Sequence, residues 1–263
     1  MRISNTENNG KKNCEMAELN SFIVVIPARL KSERLPGKPL IDLGGKSMIR
    51  RTWDQCRRAV DAKKIYVATE DDGIVEHCKE HGIQVILTKD THLTGTDRVA
   101  EVATRIEADF YINVQGDEPL FNPDDITLIV DQLARFDNEI LNGYTEIKTE
   151  QDYFSATIPK VVFRPDGRLM YMSRSSIPGN KLQTYDKAWR QVCVYAFPRQ
   201  PLLDFHHYGR KSTLEAVEDI EILRFLEMGY EVRMIRLSDE SIAVDTSDDA
   251  EKVMNELRRR EII

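Results

Sequence analysis

An α/β domain built on a mostly parallel central sheet is the fold class this sequence predicts, and three observations predict it. Short apolar runs alternate with amphipathic stretches through the first half of the chain. The first run, Phe22-Ile23-Val24-Val25-Ile26, is apolar at every position, as a strand buried on both faces requires. The 263 residues, 41% of them hydrophobic, suffice for one large core. Strands that alternate with helices imply parallel pairing, with helices covering both faces of the sheet.

The elements follow in order. "FIVVIPA" is a strand ending in proline, and a basic loop comes after it. "SMIRRTWDQCRRAV" sets Met48, Ile49, Trp53, Cys56 and Val60 at helical spacing. "KKIYVATE" is a strand, "DDGIVEHCKEHG" a helix closed by Gly82, and "IQVILT" a strand. "GTDRVAEVATRI" is a helix whose Asp97 suits a first turn, and "DFYINVQGDEPL" a strand running into an acidic loop. From about residue 140 the pattern changes. "PKVVFRPDGRLMYMS" reads as two strands around the turn Pro165-Asp166-Gly167, and "QVCVYAFP" as another. "TLEAVEDIEILRFLEMG" reads as one amphipathic helix ending at Gly229. "YEVRMIRL" and "SIAVD" are late strands, and "SDDAEKVMNELRRR" is a helix capped by Ser247 or Asp248. The organisation expected is a disordered polar extension over 1–20 and one domain over 21–263, with a β-rich insertion near 140–200.

A formal charge of −7 argues against general nucleic-acid or membrane-surface binding, which usually needs a basic face. Cys14, Cys56, Cys78 and Cys193 are scattered, without metal spacing, and fit a reduced cytoplasmic protein. No apolar run approaches the roughly 20 residues of a membrane span, and the polar start lacks a secretory core.

Positive charge is nevertheless concentrated in "IPARLKSERLPGKPL", which carries Arg29, Lys31, Arg34 and Lys38 directly after the first strand. Open α/β sheets bind ligands at this place, and arginine with lysine suits a polyphosphate; a solvated loop is the plain alternative. Gly37 would permit close backbone approach, while Pro27, Pro36 and Pro39 stiffen the loop. The loop is neither a Walker loop nor a Rossmann fingerprint. Asp117, after the strand in "NVQGDEPL", could bind a divalent cation or simply complete a turn. Asp245 ends "SIAVD" in the same way. Two strand-end carboxylates with a basic loop describe a cation-assisted nucleotidyl or phosphoryl transfer site. His77 and His81 lie at i, i+4, but Cys78 stands where a zincin needs glutamate; His206-His207 reads as loop. No histidine is expected to bind a metal. No G-x-S-x-G elbow is present.

The stretches "IPARLKSERLPGKPL", "YVATEDDGI", "LTGTDRVAE", "NVQGDEPL", "YMSRSSIP", "EILRFLEMG" and "VDTSDD" resemble the motifs of CMP-Kdo synthetases (3-deoxy-manno-octulosonate cytidylyltransferases). This family lies within the nucleotide-diphospho-sugar transferase superfamily, and the resemblance runs from Phe22 to about Glu256. It implies a Rossmann-like fold with a β-rich dimerisation insertion, a homodimer, and Mg²⁺-dependent transfer of CMP from CTP to a sugar acid, releasing pyrophosphate. By the same resemblance, Ala28, Arg29, Arg34 and Lys38 would wrap the triphosphate, and Leu93, Thr94, Gly95, Thr96 and Gln115 would hold the cytidine. Asp117 and Asp245 would bind Mg²⁺. Arg174, Gln191, Tyr195, Glu221 and Ile222 fall at acceptor positions.

The acceptor motifs depart from the family pattern. "QVCVY" has Gln191 in place of histidine and Cys193 in place of glycine; "IEILR" has Ile222 in place of glutamine. Such changes alter the donor pattern offered to a ligand, so an acceptor other than Kdo is expected as the alternative. An amino-Kdo, a nonulosonic acid or a phosphonate would qualify, and a non-catalytic nucleotide-binding protein is the reading from another class.

Overall fold

The computed structural model describes residues 21–32, 34–136 and 138–263. The extension over 1–20, with Cys14, lies outside the described residues. The elements in chain order begin with β1 (Phe22–Pro27), α1 (Met48–Ala59), β2 (Ile65–Thr69), α2 (Asp72–Glu80), β3 (Gln84–Leu87), α3 (Gly95–Ala103), β4 (Phe110–Val114) and α4 (Pro123–Leu133). The second half holds β5 (Ile140–Glu146), α5 (Glu150–Phe154), β6 (Lys160–Phe163), β7 (Leu169–Ser173), β8 (Trp189–Pro198), α6 (Arg199–Tyr208), α7 (Thr213–Glu218), α8 (Ile222–Glu227), β9 (Val232–Arg236) and α9 (Ser247–Arg259).

The central sheet runs β3-β2-β1-β4-β8-β5-β9. β1 pairs in parallel with β2 and β4, β2 with β3, and β5 with β9; β8 alone runs against its neighbours β4 and β5. The sheet is therefore mostly parallel. Its two faces carry separate apolar layers. One packs Val24, Ile26, Ile112 and Val114 against Trp53 of α1 and Ile129 of α4. The other packs Val25, Tyr111 and Phe197 against Val99 of α3 and Phe225 of α8. Alternate residues of β1 thus serve opposite layers, which is why its sequence is apolar throughout.

Several expectations change. The 140–200 stretch is less an insertion than expected: β5 and β8 belong to the central sheet, and only the hairpin β6–β7 branches from it, through β6 and β8. "SIAVD" forms no strand; Val244 N–H makes a single bond to Asp117 O at 2.9 Å. α9 is capped by Thr246, not by Ser247 or Asp248, in a reciprocal capping box with Asp249. His206 and His207 sit in the last turn of α6, not in a loop. The long helix expected at 213–229 is two helices, α7 and α8, broken where Asp219 takes a φ of +52°. Aspartate tolerates this left-handed conformation better than bulky residues do.

Candidate active site

β1 leads to β2 on one side, whereas β4 pairs on its other side, so the connections diverge beyond the ends of β1 and β4. A crevice is expected where the order switches. A cleft of about 1010 Å³ opens there, walled by the basic loop, Leu93-Thr94-Gly95, Gln115-Gly116-Asp117 and Asp245. Two glycines shape its rim and floor. Gly37 turns the loop with a φ of +70°, a conformation that favours glycine, and the space where a Cβ would point is open. Close approach belongs to Gly116, where a Cβ would stand 2.8 Å from the Pro27 carbonyl oxygen.

Lys38 is the meeting point of the charged groups. Its Nζ lies 2.7 Å from Asp117 Oδ2 and 3.1 Å from Asp245 Oδ1, and Arg34 reaches the same Asp245 oxygen at 3.0 Å. Burial works against the Lys38 charge, but the two carboxylates outweigh it and hold its pKa above the ordinary lysine value. Two carboxylates from distant segments therefore converge on one cationic atom. That donor set, oxygen-only and doubly negative, also fits a hard divalent cation such as Mg²⁺. Asp249 supports it from behind: its Oδ2 accepts Asp245 N–H at 3.3 Å and Thr246 N–H at 3.1 Å. Although burial raises the Asp249 pKa, these bonds and Lys252 bring it down to about 2.

The cleft is lined by six cationic side chains, Arg29, Lys31, Arg34, Lys38, Arg98 and Lys211, against the four carboxylates of Asp117, Asp219, Glu221 and Asp245. Arg98 is engaged by Glu70 at 2.6 Å and Lys211 by Asp219 at 2.5 Å. Arg29 and Lys31 make no salt bridge among the described residues, so the loop has charge left for an anionic ligand. Nothing in the sequence pattern marks His92, Arg98, Lys211 or Asp219 as cleft residues. Arg98 lies within the "LTGTDRVAE" stretch, whereas Asp219 reaches the cleft only through the break between α7 and α8.

The opposite wall is held by α3. Thr94 caps it, accepting Asp97 N–H at 3.2 Å, and Thr96 N–H donates to Glu221 Oε2 at 3.0 Å. Burial raises the Glu221 pKa. The segment before Thr94 hangs on Glu101, whose Oε2 accepts Lys89 N–H at 2.9 Å and lies 2.5 Å from His92 Nε2; Arg105 pairs with its other oxygen. Burial raises the Glu101 pKa, but these partners outweigh it and leave it below the ordinary carboxylate value of 4.5. A depressed folded-state pKa contributes stability above the unfolded pKa and loses it as pH falls through the folded value. Glu101→Gln is accordingly expected to cost about 1–3 kcal/mol at pH 7, the cost of unsatisfied buried partners. The difference from wild type should shrink below about pH 4.5, as urea titrations at pH 7 and pH 4 would show. An equal deficit at both pH values would contradict the assignment.

The acceptor candidates are not gathered in the cleft, apart from Glu221. Arg174 spends its guanidinium on carbonyls, with Nε to Glu218 O at 2.6 Å and Nη2 to Asp219 O at 3.0 Å. Gln191 is buried and donates from Nε2 to Asn142 Oδ1 at 3.0 Å. Tyr195 is buried with its ring stacked on Phe197, and burial raises its pKa. Ile222 belongs to the apolar layer under α8. Asn113, on β4 beside Tyr195, is fully buried, and neither polar atom of its amide has a partner among the described residues.

Residues 23–242 match the family model described as cytidylyltransferase. The chain is 38% identical over 251 residues to a 3-deoxy-manno-octulosonate cytidylyltransferase of Geobacter metallireducens, covering 90% of this chain and 98% of that one. Against the enzyme of the same name from Photobacterium profundum it is 39% identical over 244 residues, with 89% and 98% covered. Among solved structures, it is similar to a CMP:2-keto-3-deoxy-manno-octonic acid synthetase complexed with CTP, at a TM-score of 0.84 and 32% identity, covering 91% of this chain and 99% of that one. HddC from Yersinia pseudotuberculosis shares the fold at a TM-score of 0.67 and 15% identity, over 90% and 99% of the two chains.

Proposed function

This chain belongs to the cytidylyltransferase family, alongside the 3-deoxy-manno-octulosonate enzymes, and from that premise we propose that it transfers CMP from CTP to an eight-carbon keto-sugar acid, Kdo or a close relative. The observation that carries the reading is the convergence of Lys38, Asp117 and Asp245 at the switch-point cleft, beside Arg29 and Lys31, which make no salt bridge among the described residues. In this reading Arg29, Arg34 and Lys38 bind the triphosphate, the main chain of Ala28 shapes the loop around it, and Thr94, Gly95, Thr96 and Gln115 hold the cytidine. The acceptor hydroxyl oxygen bonds to the α-phosphorus as its proton passes to water, the α–β phosphoanhydride bond breaks, and pyrophosphate leaves. Arg29, Arg34 and Lys38 stabilise the charge that grows on the departing group. Holding both reactants in the cleft makes an in-line attack effectively unimolecular. Asp117 and Asp245 would hold Mg²⁺, which when bound supplies Lewis-acid charge to the phosphoryl oxygens.

Among the acceptor positions, Glu221 is the one that reaches the cleft, so it is assigned the sugar acid's hydroxyls. Gln191 and Ile222 would act through the packing around β8 and α8, because one is committed to Asn142 and the other is apolar and buried. The experiment is pyrophosphate release with CTP and with UTP across Kdo, an amino-Kdo, a nonulosonic acid and a phosphonate. Turnover with CTP and Kdo, and at least a tenfold preference over UTP, is expected. Rapid turnover with a phosphonate alone would replace this acceptor, and no turnover with any of the four would remove the catalytic reading.

A homodimer through the β6–β7 hairpin completes the proposal. Met170 on β7 is 63% exposed and Leu182 beyond it 81%, which suits burial against a second copy. Sedimentation equilibrium would test it, a monomer at micromolar concentration being the contrary result. The buried thiols of Cys56 and Cys78, in no disulfide among the described residues, suit a reducing cytoplasm. Among the described residues no helix is long and apolar enough to cross a membrane.

A further inference from the structure

Away from the cleft, His77 and Glu80 in the last turn of α2 and His81 at its C-cap come together, and a donor atom of each lies within 4.8 Å of the others. The imidazole centroids are 4.4 Å apart. Two hydrogen bonds orient the rings. His81 Nδ1 is 2.8 Å from the His77 carbonyl oxygen, which can only accept, so Nδ1 carries the proton and Nε2 keeps its lone pair. His77 Nε2 is 2.7 Å from Ser47 Oγ, an oxygen that also accepts Arg50 N–H. With Nε2 donating to Ser47, the lone pair of His77 lies on Nδ1. Metal-binding histidines are typically held in this way, by a carbonyl or hydroxyl on the nitrogen opposite the metal.

We propose that His77, Glu80 and His81 form a surface site for a divalent transition-metal ion of the Zn²⁺ or Ni²⁺ class. Two imidazole nitrogens and one carboxylate select such ions over Mg²⁺, which demands oxygen ligands. The site is distinct from the carboxylate pair in the cleft. It runs against the expectation that no histidine binds a metal, which follows from the missing zincin motif and not from ligand geometry. Cys78 between the two histidines is fully buried in the apolar core and is not among the clustered donors. Because Ser47 also caps α1, a metal on His77 would tie α2 to the start of α1, whose Met48 lines the cleft.

The test is calorimetric titration of the full chain with Ni²⁺ and with Zn²⁺, in millimolar Mg²⁺ to occupy the cleft carboxylates. Wild type is compared with His81→Ala and Glu80→Gln. One site per chain is expected in wild type, weakened at least tenfold by His81→Ala and measurably by Glu80→Gln. Saturating Ni²⁺ should raise the melting temperature of wild type and not that of His81→Ala. If His81→Ala does not fold, the exposed Glu80→Gln carries the comparison. Binding weaker than about 1 mM in wild type, or equal binding by wild type and the folded variants, would overturn the proposal.

Discussion

Asp117→Ala is expected to slow pyrophosphate release from CTP by roughly a thousandfold, and Asp245→Ala by a similar factor. Each variant removes half of the carboxylate pair that converges on Lys38. On the proposed reading the remaining aspartate would hold Mg²⁺ against the triphosphate more weakly and off its working position, and Lys38 loses a partner that fixes its direction. Groups acting as a unit are not additive, so the double variant should be little worse than either single one. Removing the metal with a chelator should silence the wild-type enzyme and leave the variants at their residual rate. Folding is not at stake: the Asp117 and Asp245 side chains are 30% and 42% exposed, so truncation leaves no buried gap. Circular dichroism and a thermal melt would establish that the variants are folded. Full turnover by a folded Asp117→Ala would sink both the metal assignment and the proposed chemistry.

Much of this site could be read from the sequence because its parts are locally marked. β1 is uniformly apolar, the basic loop follows it at once, and Asp117 follows β4 after a Gln-Gly step. Each is a strand-end signal within a few residues. Their union is long-range: Lys38 is 79 residues from Asp117 and 207 from Asp245, and no local pattern encodes such pairings. The same limit explains the sheet. β8 reads as an ordinary apolar strand, and nothing in it says that, besides pairing with β6 of the hairpin, it runs antiparallel between β4 and β5 in the central sheet. The break at Asp219 was hidden for another reason. Apolar residues continue at helical spacing across it, so periodicity predicts one helix, and tertiary contacts select two. The divergent acceptor positions were legible as departures, but not their placement: Gln191 and Ile222 turn to the interior.

Arg224→Met is expected to destabilise the fold by about 3–5 kcal/mol, a large share of the stability of a domain this size. Arg224 is wholly buried on α8. Its Nη1 meets Asp97 Oδ1 at 2.7 Å, while Nε and Nη2 form a two-point bond to Glu215, each at 2.6 Å. The guanidinium also lies 3.6 Å from the centroid of the Phe205 ring. Burial disfavours its charge, but Glu215 and Asp97 outweigh that and raise its pKa. Methionine fills much of the same space, so the loss would come from leaving two carboxylates buried without a counter-charge rather than from a cavity. Lysine is no remedy, because a point charge cannot serve both carboxylates in the fork geometry. Combining Arg224→Met with Asp97→Asn and Glu215→Gln removes the stranded charges and should recover part of the deficit. Urea denaturation of the single and triple variants measures this directly, and a single-variant cost below about 1 kcal/mol would refute it. The consequence reaches the cleft, because Asp97 lies in the first turn of α3 and its carboxylate also accepts from Thr94 Oγ1 at 2.7 Å. The arginine that locks α8 to α3 therefore also fixes the capping residue of the wall assigned to cytidine. In the triple variant, with stability partly restored, KM for CTP should rise while the far-ultraviolet spectrum stays that of wild type; an unchanged KM would confine Arg224 to the core.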